Sequence, residues 1–86
     1  MTAHITWAKG GHAEVATLEG DRVTVRSTIP SAPGSRLDGT VADGGATRVK
    51  VARCRRQDDG FVIDGRLIDT TREVRAEIER LVARAG

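Results

Sequence analysis

Along most of this 86-residue chain the apolar residues recur at every second position, and only after residue 70 do they recur every three or four. Val23 and Val25 alternate with Arg22, Thr24 and Arg26; Leu37, Gly39 and Val41 with Arg36, Asp38 and Thr40; Val49 and Val51 with Arg48 and Lys50. A period of two sets one side of an extended segment against a core and the other in water. Several such short runs in one small domain bury their apolar sides most economically by curling the sheet onto itself. Val74, Ile78, Leu81 and Val82 instead fall at i, i+4, i+7 and i+8, one stripe of an amphipathic helix. Thr70 stands three residues before Glu73, the spacing of a capping box, so a helix over about 70–84 is expected with Thr70 as its N-cap.

The breaks between runs carry turn chemistry. Glu19-Gly20-Asp21 joins residues 12–18 to 22–28 as a hairpin, and Gln57-Asp58-Asp59-Gly60 joins 46–56 to 61–68. Ile29 to Ser35 holds both prolines, Pro30 and Pro33, and reads as a loop. Asp43-Gly44-Gly45 closes the strand that ends at Val41. The expected fold is mainly β: a small antiparallel barrel of five or six strands spanning residues 12–86, led in by an N-terminal segment 1–11 and covered by the terminal helix.

Composition narrows the functional classes. A chain of 86 residues has room for one domain. Cys54 is the single cysteine, so no disulfide can form within the chain, and its arginine neighbours would favour the thiolate if it were exposed. His4 and His12 have no carboxylate or cysteine at the spacing of a metal site or a catalytic triad, so neither enzyme activity, a metal nor a cofactor is expected. No stretch has the character of a signal peptide or the length to span a bilayer, which leads us to expect a cytoplasmic protein without membrane insertion. The net charge is only +2 although arginine supplies 12 of the 14 basic residues, so charge alone demands no nucleic-acid partner.

The order of landmarks resembles a PilZ domain. These landmarks are the early hairpin, Pro33-Gly34-Ser35-Arg36-Leu37 leading into a strand, and the long strand Val49 to Arg56. A turn follows, then Phe61 to Asp69 running into the charged helix. The resemblance implies a six-stranded barrel with a C-terminal helix, in a family whose usual bacterial members receive cyclic diguanylate. They do so through R-x-x-x-R before the barrel and [DN]-x-S-x-x-G on early strands, where paired guanidinium groups meet phosphates and guanine faces. Here the leading segment Thr6 to His12 has Lys9 and no arginine, and Ala16-Thr17-Leu18-Glu19-Gly20-Asp21 stands where the second motif would fall. The resemblance therefore implies a member that regulates by docking a protein.

Two other readings stand beside that one. Arg22-Val23-Thr24-Val25-Arg26 has the R-x-x-x-R letters in a different element, so Arg22, Arg26 and Lys9 could form a noncanonical cyclic-diguanylate site; Arg80 and Arg84 repeat the spacing in the helix. Lys50, Arg53, Arg55 and Arg56 form the densest basic cluster and would serve a nucleic-acid-binding barrel, although they lack the aromatic platforms of single-strand binders. For docking a protein, or a second copy of the chain, the candidates are Trp7, Ile29, Pro30, Pro33, Arg53, Arg55 and Arg56. Trp7 is open between a plug for the core and an exposed anchor.

Overall fold

A computed structural model describes residues 3–41 and 44–85, with side chains through residue 83. The chain forms β1 (His4–Trp7), β2 (His12–Glu19), β3 (Arg22–Ser27), β4 (Arg36–Val41), β5 (Ala46–Gln57), β6 (Gly60–Ile68) and α1 (Arg72–Ala85). The six strands close into an antiparallel barrel in the order β1-β2-β3-β6-β5-β4. Closure removes most of the unpaired edge that an open sheet of this size would expose.

The alternation seen in the sequence is the inside-outside pattern of the barrel. Val23, Val25, Leu37, Val41, Val49, Val51, Ile63 and Leu67 are buried, with Gly39 and Gly65 among them, while Thr24, Asp38, Thr40, Lys50, Asp64 and Arg66 face outward. β2 and β3 form the expected hairpin, interrupted by a bulge at Val15–Thr17, and β5 and β6 form another, with a bulge at Val51–Arg53. In the β5–β6 turn the positive φ is taken by Asp58 (55°), and Gly60 is already paired with Gln57 as the first residue of β6. The glycine of the expected aspartate-glycine turn is therefore a strand residue. Of the expected turn Asp43-Gly44-Gly45, Asp43 lies outside the described residues, while the Gly44 and Val41 N–H groups donate to Val41 and Gly45 carbonyls.

The boundary expected at residue 12 is displaced. His4–Trp7 is a barrel strand, paired with β2 on one side and β4 on the other, so the leading segment supplies the closing stave. Four residues are too few to display a period, and only the two flanking strands define this one. Trp7 fills the core at 2 % exposure, which excludes it as a surface anchor. Its indole N–H donates to the buried Ser27 hydroxyl at 3.0 Å, and that hydroxyl donates to the Ile29 carbonyl at 2.7 Å. Room for the ring comes from Gly39, where a Cβ would lie 3.0 Å from the indole and 2.8 Å from the Thr6 carbonyl oxygen.

The helix stripe packs as its spacing implies: Ile78 and Leu81 are buried, with Val74 and Val82 partly so. Arg75 pairs with Asp21 of the β2–β3 turn and ties the helix to the barrel. The cap differs by one residue from the expected one. The Thr71 hydroxyl accepts the Val74 N–H at 3.2 Å, so Thr71 is the N-cap and no glutamate stands at the capping-box position. Thr70 is engaged elsewhere, its hydroxyl bonded to that of Thr47 on β5 and to the Ile68 carbonyl.

Candidate functional site

Cross-strand register arranges the outward side chains of the barrel in rows, with neighbouring strands about 4.8 Å apart. In one row Asp38 of β4 faces Arg48 of β5. The Arg48 guanidinium bonds Asp38 and, at 2.9 Å, Asp69. The hydrogen bond and charge of Asp38, reinforced by Asp69, raise the Arg48 pKa above its usual value. Further along β5, Arg53 faces Asp64 of β6, which faces Thr24 of β3. Asp64 accepts the Thr24 hydroxyl at 2.9 Å and lies 3.7 Å from Arg53.

Between these two compensated rows lies a third with four successive cations. Arg36 of β4 faces Lys50 of β5, Lys50 faces Arg66 of β6, and Arg66 faces Arg22 of β3. All four are exposed, and none forms an ion pair with a described residue. Glu19 of β2, opposite Arg22, ends the row. Like charges directly opposite each other destabilise a sheet by an amount comparable to the roughly 0.2–1 kcal/mol of a favourable pair. The row was invisible in the sequence because its members come from four separate segments and meet only through register.

A second feature is the outer edge of β5. β4 pairs with β5 only as far as Lys50, and the loop before β4 extends that cover by one residue, through the Gly34 N–H to the Val51 carbonyl and the Val51 N–H to the Ser35 carbonyl. From Ala52 to Gln57 the strand has β6 on one side and no backbone partner among the described residues on the other. Alongside this edge is a groove of about 510 Å³ lined by Lys9, Pro30, Ala32, Pro33, Ser35 and Cys54. Arg53, Arg55 and Arg56 are exposed on the same stretch of β5.

The structure thus brings Lys9 together with Pro30 and Pro33, from which it is distant in sequence, and sets all three beside Cys54, on the stretch of β5 that carries the arginines. Ile29 stands apart from them. It is half-buried against the core, and its side chain crowds Gly11, where a Cβ would approach Ile29 Cγ2 to 2.8 Å. Cys54 is also half-buried, at the groove wall. The loop signal was legible as prolines; the open edge was not, because it depends on how far β4 reaches.

Arg22 and Arg26 both point outward from β3, four residues and about 13 Å apart along the strand. They line different troughs. Arg22 borders one of about 450 Å³ with Arg53 and Arg66; Arg26 borders one of about 570 Å³ with His4, His12, Glu14 and Phe61. Lys9 lines neither. The register sets His4 and Arg26 on either side of Glu14, a carboxylate neighbour that sequence spacing did not disclose for the histidine. Among the described residues no three of His, Cys, Asp and Glu are grouped to hold a metal, and no helix is long and apolar enough to cross a membrane.

Fold and surface together define the class: a closed six-stranded antiparallel barrel with a C-terminal helix, carrying an open strand edge and a cationic row. Compared with family models, curated proteins and solved structures, the chain matches none.

Proposed function

We propose that this chain is a PilZ-like regulatory module that acts by docking a partner protein, and that it does not receive cyclic diguanylate by the usual motifs. The observation that carries the reading is the unpaired edge of β5 from Ala52 to Gln57 beside the groove of Pro30, Ala32 and Pro33. An edge of this kind offers backbone donors and acceptors to an extended segment, and an adjoining apolar groove takes one of its side chains. A second copy of the chain is a poor occupant, because two β5 edges brought together would set Arg53, Arg55 and Arg56 against their own like charges. An extended acidic segment of another protein fits the same edge.

Two measurements test this. Calorimetric titration with cyclic diguanylate is expected to give no micromolar binding; heat that vanishes in Arg22→Ala/Arg26→Ala would instead establish the nucleotide-receptor reading. Proteins captured from a native lysate are then purified and titrated against the wild type and against Ala32→Trp, which fills the groove. A micromolar complex weakened at least tenfold by Ala32→Trp supports docking at the β5 edge, and one indifferent to Ala32→Trp and to Arg55→Glu/Arg56→Glu removes it.

A further inference from the structure

We propose that the cationic row on the outer face of β4, β5, β6 and β3 binds the phosphate backbone of nucleic acid, independently of sequence, through Arg36, Lys50, Arg66 and Arg22. This surface is separate from the β5 edge, and its assignment stands or falls without the docking reading.

The alternative to a binding site is an ordinary solvated face, and three features of the row argue against it. The rows on either side are neutralised, Asp38 and Asp69 against Arg48 and Asp64 against Arg53, whereas the four cations here have a single carboxylate, Glu19, opposite Arg22 at the end of their row and forming no ion pair with it. Cations that protect a sheet from aggregation belong on its edges. Here Lys50, Arg66 and Arg22 are each paired on both sides, and only Arg36, beyond the reach of β1 along β4, stands at an open edge. Finally, the three successive pairs set like charge against like charge, an arrangement that an anionic ligand would relieve.

Shape and chemistry select the anion. Three strand spacings make the row about 14 Å long, too extended for one phosphate group. A duplex strand presents a phosphate about every 3.4 Å along the axis, so roughly four fall within that length. Three of the four cations are arginines, whose planar guanidinium matches phosphate oxygens bidentately. No aromatic side chain borders the trough between Arg22, Arg53 and Arg66, so bases have nothing to stack on and the contact reads the backbone alone. Glu19 and Asp64 also line that trough and bound the cationic strip on that side, Asp64 being held by Thr24 and Arg53.

The test is fluorescence anisotropy with a labelled 20-base-pair duplex and with single-stranded oligonucleotides of two unrelated sequences, titrated from low to moderate salt. Four neutralised phosphates give a slope of log K against log salt near −3.6 for duplex and −2.8 for single strands, so duplex affinity should fall on the order of 150-fold between 50 and 200 mM. Arg66→Gln, Lys50→Gln and Arg22→Gln should each weaken binding to every sequence alike and each flatten the slope by about 0.9. Because these changes remove repulsion, the variants should fold at least as well as the parent, which circular dichroism checks. Arg55→Gln/Arg56→Gln should leave the slope unchanged.

Absence of binding at 25 mM salt would overturn the proposal. So would a slope indifferent to the row variants, a tenfold preference between the two single-strand sequences, or equal affinity for polyglutamate.

Discussion

The two halves of β5 live under different constraints. From Ala46 to Val51 the strand is covered by β4 or the loop before it, and from Arg48 by β6 as well; Thr47, Val49 and Val51 are buried, and the backbone at Lys50 passes so close to Gly65 that no Cβ would fit there. From Ala52 to Gln57 it is paired on one side, no residue is fully buried, and Arg53, Arg55 and Arg56 face solvent. The bulge at Val51–Arg53 divides the halves, the point at which the strict inside-outside alternation of the first half ends. In the first half the core dictates the residues. In the second half only Cys54 still packs against the core.

The largest effect that would sharpen this contrast is expected from Gly65→Ala. Its Cβ would lie 2.3 Å from the Lys50 carbonyl oxygen, so β5 and β6 must part. A loss of about 3 kcal/mol or more in urea denaturation is expected, and a loss below about 0.5 would show the closed half to be as pliant as the open one.

Val49→Ala, at a position with no exposure, should cost about 2 kcal/mol by the same measurement, from lost burial and an imperfectly collapsed cavity. Thr47→Ala cuts the hydroxyl chain through Thr70 to the Ile68 carbonyl, which joins the closed half of β5 to the start of the helix. About 1 kcal/mol is expected, with faster amide exchange at the N-terminal turn of α1.

In the open half, Arg55→Ala/Arg56→Ala should change stability by less than about 0.5 kcal/mol, and a loss near 2 would mean that this half is also part of the cooperative fold. Smallest, and of opposite sign, is Lys50→Gln: removing the centre of the like-charge row should raise stability by about 0.3 kcal/mol, detectable as a shift in the denaturation midpoint that shrinks as salt is added.

The elements were legible where several residues shared one periodicity. Val23/Val25, Leu37/Gly39/Val41 and Val49/Val51 disclosed their strands, and Val74/Ile78/Leu81/Val82 disclosed the helix. β1 escaped because two apolar residues, Ile5 and Trp7, make no period, and the cap was misplaced by one because two consecutive threonines offer the same hydroxyl. The candidate surfaces were half legible. The prolines of the loop and the arginines of β5 stood out by composition, whereas the groove joining Lys9 to Pro30 and Pro33 needed the chain to return upon itself. Arg36 and Arg66 gave no sequence signal, since each is one outward residue on an ordinary strand.

By itself the sequence determined which side of β3, β4 and the first half of β5 would face the core, because burial of valine, leucine and isoleucine is a local consequence of their spacing. It also determined that the last segment would be a helix lying on that core. Only the tertiary structure decided which strands would be neighbours and in what register. Register places Arg22 against Arg66 and Lys50 against Arg36, and it leaves Ala52–Gln57 without a second neighbour. The physical reason is that core burial acts within each strand, whereas the charges that a barrel presents outside are assembled between strands, by hydrogen bonds whose pairing no single segment specifies.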